Sequence, residues 1–508
     1  MNLQKKKIFN FRPLFCVFIS LICGIVFSRY ILQSNYIYLG IFIFLLLSLL
    51  ALCIYRKKFK ELLIILVAFA CGLLFYVVEM KDYSPEPING EQTIVARVSC
   101  SSSIKSRYQC VILDDVQING ESKNFNIMLV NYNTGNLFSD GDIITGNVTL
   151  SVAEIFNDEN FNSSNYRHNV KYVTRASLGE FEIIGQNLHF NESVQESVRN
   201  QLDKFMTEEN ADISFAMMFG DKSEVSYEIK NSFSKSGIAH ILAISGLHVG
   251  VLVGFLMWIF KKCKVNKYVN FGIISAFLIL YCYLCSFSPS VVRASVMAIA
   301  LMLAKLFGKR YDSLSAIGFA GILLILIKPL YVFDVGFQMS FACVIGIAVL
   351  SPTISKFLIK IKIPKFLAKP LALSISTQIA LIPILTNCFG SFSILSIFLN
   401  VIIIPLFSIG YIIQFIFLPL TYITSFFGHF LYFTQLILEA IKISASFVAS
   451  IPYTFISLFN LNFIIYLGYY ATIYFASRMC LFNKKYKIAS CISIMSLTTI
   501  ASLIIYFC

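Results

Sequence analysis

The sequence predicts a polytopic α-helical membrane protein with a small β domain inserted between its spans. Three observations lead there. First, 57% of the 508 residues are hydrophobic and only 13% charged, with a mean hydropathy of +0.76, whereas soluble domains carry about 25% charged residues. Second, apolar runs near the ~20-residue length of a membrane span recur along most of the chain. Third, residues 81–195 break that pattern: they are polar and strand-like, and hold 14 acids against 8 bases. The chain carries +14 overall, so +20 is left on the rest.

Taken in order, runs 13–32, 36–55 and 61–79 form a first group of three. No small-residue cleavage pattern stands out after the first run, and two more runs follow at once, so it reads as a span rather than a cleaved signal. Basic residues fall in short loops: "QKKKIFNFR" at the start, "YRKKFK", "KKCKVNK", "KLFGKR", "KFLIKIKIPKFLAK" and "RMCLFNKKYK". The positive-inside rule makes these loops cytoplasmic. The expected orientation has the N-terminus in the cytoplasm, residues 1–80 as three transmembrane helices and residues 81–191 outside the cell membrane.

Within 81–191, "QTIVARVSC", "QCVILDDVQINGES", "KNFNIMLVNY", "GDIITGNVTLSV" and "KYVTRASLGEFEII" alternate as strands do. "INGE" and "SDGD" read as hairpin turns. Five or so short strands suggest an OB-like barrel, although other small barrels fit the same count. Cys100 and Cys110 bracket "SSSIKSRYQ" and are a candidate disulfide, permitted if the insert is extracytoplasmic. The polar loop "NDENFNSSNYRHN" carries His168, expected to be solvated. The insert is acidic overall, so its best candidate for binding nucleic acid is a strip of Arg97, Lys105 and Arg107.

Residues 192–235 read as amphipathic helices on the outer surface or in the interface plane. Ten more apolar runs follow: 238–260, 268–287, 291–307, 313–328, 335–351, 371–386, 394–419, 430–450, 460–477 and 488–507. Several are short, and Pro383 and Pro405 interrupt others, so ten to thirteen true spans are expected, some broken or re-entrant. Residues 236–508 form this bundle.

Its chemistry concentrates in "SGIAHILAISGLHVGVLVG", residues 236–254. As a single helix it sets Ser236 and His240 on one face, Ser245 and His248 on a neighbouring face, and Gly246, Gly250 and Gly254 in a stripe suited to close helix packing. A Ser245–His248 pair is also the minimum for an intramembrane hydrolase, but "AISGLHVG" is not a nucleophile elbow. "SFSPSVVRASVMA" places Arg293, and "FDVGFQMSFA" places Asp334 and Gln338, at similar depth. Arg293 and Asp334 could pair there, since a lone charge at that depth is costly. "SISTQIALIPIL" adds Ser374, Ser376, Thr377 and Gln378. Together these islands predict a polar interior and hence a pathway. No metal-ligand spacing, phosphate loop or cofactor motif is present.

"FGDKSEVSYEIKNSFSKSGIAHILAISGLHVGVL", "SPSVVRASVMA" and "DVGFQMSF", in this order and spacing, closely resemble the competence domain of the ComEC family, and the order of spans, β insert and bundle matches that family over the whole chain. The resemblance implies a channel carrying single-stranded DNA across the cytoplasmic membrane during natural transformation. It implies that Asp221, Lys222, Ser236, Gly237, His240, Ser245, Gly246, His248, Arg293, Asp334 and Gln338 occupy characteristic positions, without assigning their roles. Longer family members carry a metallo-β-lactamase-like nuclease domain. The five histidines here are too dispersed for its metal cluster, so no enzyme activity or cofactor is expected. The implied partners are single-stranded DNA, the lipid bilayer, an outside DNA receptor, a cytoplasmic ATPase, a separate nuclease and a second copy of the chain. The alternatives are a solute or lipid transporter on the same bundle, and the hydrolase.

Overall fold

The computed structural model describes residues 12–32, 59–101, 109–132, 138–157, 160–176, 181–389, 391–451, 455–457, 463–476 and scattered positions from 490 to 498. The expected span at 36–55 and most of that at 488–507 lie outside the described residues, as do Lys105 and Arg107.

Helices α1 (Pro13–Leu32) and α2 (Phe59–Asp82) cross at Gly24 and Gly72. A Cβ on either glycine would strike the other helix's backbone, which is the small-residue packing that membrane helices use in place of a hydrophobic drive.

Among the described residues the insert holds ten strands: β1 (Glu91–Ser101), β2 (Gln109–Ile118), β3 (Glu121–Ser122), β4 (Asn126–Asn131), β5 (Asp142–Thr149), β6 (Ser151–Val152), β7 (Phe156–Asn157), β8 (Asn160–Phe161), β9 (Val170–Ala176) and β10 (Phe181–Gln186). A short helix, α3 (Ser163–Arg167), precedes β9. The main sheet runs β10-β5-β1-β2-β4-β9-β6, with β9 parallel to β4. Asn119 and Gly120 both take positive φ (51° and 85°) in the predicted "INGE" turn. Alternate residues of the strands, Ile94, Val98, Leu113, Ile127, Leu129 and Ile144, are fully buried in one core. The path ends at β6, which directly follows β5 in the chain, and Thr174 Oγ1 donates to the Thr149 carbonyl at 3.0 Å. The sheet therefore curls round, but its pairing is an open path; the expected closed OB-like barrel is not reached.

The bundle contains α4 (Phe190–Phe205), α5 (Glu208–Phe219), α6 (Tyr227–Ser236), α7 (Gly246–Lys262), α8 (Lys267–Leu284), α9 (Pro289–Leu306), α10 (Ser313–Ile327), α11 (Val335–Lys360), α12 (Lys365–Phe389), α13 (Ser396–Leu420), α14 (Gly428–Ser450) and α15 (Phe463–Ala476). A two-stranded ribbon, β11 (Ser391–Ser393) with β12 (Phe455–Ser457), joins two of its loops. Among the described residues, seven helices are long and apolar enough to cross a membrane. This is a multi-pass membrane protein.

Three expectations change here. Pro383 and Pro405 do not break their helices. Pro383 cannot donate to the Ile379 carbonyl, and the Tyr469 hydroxyl donates to it instead at 2.6 Å, so a neighbouring helix repairs the gap. Helix α5 is not at the surface: Ala211, Ile213, Ala216 and Met217 are buried in the bundle core. The stretch 236–254 is not one helix, and its break forms the candidate site.

Candidate functional site

Ser236 ends α6, and Gly237 follows in the left-handed conformation at φ +77°. A Cβ there would collide with the Ser396 side chain, so only glycine lets this turn seat on the start of α13. A single 3₁₀ turn, Ala239–Ile241, carries His240. Ser236 and His240 therefore share no helical face, contrary to the single-helix expectation. The Ser236 hydroxyl is buried and donates to the Phe233 carbonyl at 3.2 Å.

Ser245 caps α7. Its Oγ accepts from the Leu247 amide at 3.2 Å and lies 3.0 Å from His248 Nδ1, which also accepts from the Ser245 amide at 3.3 Å. This is a capping box with histidine in the place of glutamate. The His248 ring is fully buried, edge-on to Phe407 and Tyr411 at 4.7 and 5.0 Å. The Tyr281 hydroxyl donates to the Met218 carbonyl at 3.0 Å and lies 2.8 Å from the Tyr411 hydroxyl. Polar contacts thus link α5, α8 and α13 through the core, and the Tyr411 ring packs on His248 of α7.

A second polar seam lines α12 and α13. Gln378 Nε2 donates to Ser396 Oγ, which donates to the Ser393 carbonyl. Ser374 stands one turn before Gln378, and Asn400 one turn after Ser396. Ser374 Oγ, Gln378 Oε1, Ser393 Oγ, Asn400 Oδ1 and Gln414 Oε1 are buried without a partner among the described residues. Buried polar atoms are met by protein or by water, so this seam has the chemistry of a wet lining. Asn400 and Gln414 were missed in the sequence, although lone amides in so apolar a run are the signal that finds them.

The glycine stripe is a partial correction. Gly246 faces Arg293, but a Cβ on Gly250 or Gly254 would meet nothing within 4 Å. Close helix packing occurs instead at Gly24, Gly72 and Gly318.

The Arg293–Asp334 pair does not form. Asp334 caps α11 by accepting from the Phe337 amide at 2.7 Å, and its charge meets Arg167 of the β domain at 3.5 Å. Gln338 Nε2 donates to the Val332 carbonyl at 3.0 Å and fixes the same corner. Around it, Lys328 Nζ donates to the Tyr166 and Arg167 carbonyls at 2.8 and 2.7 Å, and the Tyr166 hydroxyl donates to Glu79 at 2.7 Å. Helix α3 is thereby latched onto α2, α10 and α11. His168 is half-buried here rather than solvated; burial, with Arg167 and Lys328 beside it, pushes its pKa down to about 4. Burial pushes Lys328 down to about 8. Lys222, in the α5–α6 loop after Asp221, is lowered by burial and by the charges of Lys230 and Arg167. Arg167, Lys222, Lys230 and Lys328 therefore gather positive charge where the β domain meets the bundle. Asp221 itself accepts from the Ser223 amide at 2.8 Å.

Of the strip proposed for nucleic acid, Arg97 is 3% exposed and bound to Asp114 and Glu192 at 2.5 Å; it is spent inside the protein. Cys100 stands opposite Ile112 on the neighbouring strand, and Cys110 is the second residue of that strand, two positions before Ile112.

A family model described as "Competence protein" matches residues 217–482, just over half of the chain. The chain belongs to the competence protein family, that of ComEC. ComE operon protein 3 of Bacillus subtilis (strain 168) is 30% identical over 216 residues, 42% of this chain and 27% of that protein. An uncharacterized protein of Aquifex aeolicus (strain VF5) is 31% identical over 138 residues, 27% of this chain and 32% of that protein. The chain thus matches about a third or less of the length of these curated relatives. No solved structure matches. The competence region includes the broken turn, the polar seams, Arg293 and Asp334. The β domain and its Arg167 lie before it.

Proposed function

We propose that this chain is a membrane channel that passes single-stranded DNA into the cytoplasm during natural transformation, without an enzymatic step of its own. Family membership supports a role in DNA uptake, and the observation that carries the channel reading is the row of buried polar atoms along α12, β11 and α13 that have no partner among the described residues. A polyanion crossing a bilayer needs a wet polar lining. The cations at the junction of the β domain and the bundle suit the mouth of such a path, where single strands are gathered by charge. The basic loops argue for a cytoplasmic N-terminus and an extracytoplasmic β domain. An outside receptor would deliver the strand, a cytoplasmic ATPase would pull it, a separate nuclease would supply it single-stranded, and a second copy of the chain would complete the conduit.

The test is a deletion strain of a naturally competent host, measured for labelled DNA reaching the cytoplasm. Uptake should be lost while surface binding of DNA persists; normal transformation would refute the reading. The 3.0 Å Ser245–His248 contact also suits a hydrolase. Ser245→Ala separates the two: a hydrolase loses all activity, whereas a channel with a lost helix cap retains part of it.

A further inference from the structure

Arg293 is 4% exposed on α9, between the start of α7 and α11. Among the described residues it forms no salt bridge. Its Nη1 reaches only the Met297 sulfur at 3.8 Å, its Nε has no partner, and its guanidinium lies 5.7 Å from the Phe341 ring centre. The titratable side chains that act on it are Cys343 and Tyr311, both uncharged groups at neutral pH by their ordinary chemistry. A buried guanidinium without a carboxylate is costly to keep. Its Nη2 is aimed at Gly246, the first residue of α7: a Cβ there would sit 2.6 Å from it. The positive end of a 17-residue helix and an unpaired guanidinium therefore converge on one point. Along the same face, Gly250 and Gly254 leave bare backbone, and Lys261 and Lys262 close the last turn.

We propose that Arg293 and the N-terminus of α7 form a phosphodiester-binding site inside the bundle, which holds the backbone of the passing DNA strand. This rests on the channel reading above. Ser245 and His248 already hold the Ser245, Leu247 and His248 amides, so an anion would take the Gly246 amide, which has no hydrogen-bond partner among the described residues, and arginine adds a two-pronged fork that fits phosphate oxygens. Glycine at 246 is required because any side chain would strike the guanidinium and displace it. The site recognises charge and geometry but no base, as a conduit for arbitrary sequence needs.

The test uses the full-length chain in phosphatidylcholine nanodiscs, titrated with dimethyl phosphate (a phosphodiester small enough to reach the site) and with fluorescein-labelled oligothymidylate. Both should bind wild type, the first read as protection against thermal unfolding. Arg293→Met should remove that protection and weaken oligothymidylate binding about tenfold or more, with a salt slope shallower by about one. Gly246→Ala, which keeps the charge but displaces the guanidinium, should weaken both, and decides the matter if the methionine variant does not fold. Wild-type affinities and slope in both variants would overturn the site. Protection by dimethyl phosphate that depends on Arg293 and is competed by phosphatidylglycerol, with no oligothymidylate binding, would assign the site to a lipid headgroup and overturn the DNA assignment. The deletion-strain experiment above fails or succeeds independently of either result.

Discussion

At the scale of single residues, His168 gives the latch a pH dependence. Its imidazole titrates near 4 when docked, against about 6.5 when free. A base with a depressed pKa favours the neutral, docked state. Docking is therefore at full strength above about pH 6.5 and weakens as pH falls from there towards 4. Hydrogen exchange of the 163–168 amides should accelerate, beyond the intrinsic rate change, between pH 6.5 and 4.5. His168→Gln should abolish that difference, and equal acceleration in both proteins would disprove it. Arginines show why such roles escape the sequence. Arg97 and Arg293 are both under 5% exposed, yet one is bound to acids on β2 and α4 and the other meets none among the described residues. Their partners are set by tertiary contacts, and local pattern carries no trace of them.

At the scale of elements, α12 shows how a proline is accommodated in a membrane helix. Tyr469→Phe should leave the Ile379 carbonyl unpaired and cost about 0.6 kcal/mol, the average for hydrogen bonds between membrane helices, and at most about 1.7. Pro383→Ala should erase most of that cost, because its amide returns to Ile379; a double-mutant cycle in detergent reads the coupling directly. Additive effects would refute it. Periodicity made the helices and most strands legible: the predicted 268–287, 291–307 and 394–419 runs match α8, α9 and α13 within a few residues. The break at 237–245 was not legible, because "GIAHILAIS" is as apolar as a span. Its turn depends on Gly237 fitting against Ser396, a contact between residues 159 positions apart.

At the scale of the whole molecule, the β domain is fixed to the bundle through α3, and two of the ties differ in kind. Asp334–Arg167 is a long contact of 3.5 Å between a buried carboxylate and an arginine that is 38% exposed, worth about 0–1 kcal/mol. Asp334→Asn also keeps the helix cap, so it should barely loosen the domain. Lys328→Met removes two charge-assisted hydrogen bonds to α3 and should loosen it more, read as faster proteolysis in the 84–90 linker. The reverse order would disprove the ranking. The latch also imposes a timetable. The carbonyls of Tyr166 and Arg167 must wait for Lys328, 162 and 161 residues later in the chain. At ribosomal speed that is roughly 8–30 s. During synthesis the β domain can complete its own sheet by residue 186, yet it hangs from α2 and α4 until α10 and α11 arrive. The junction between domain and bundle is therefore assembled late, after both of its walls exist.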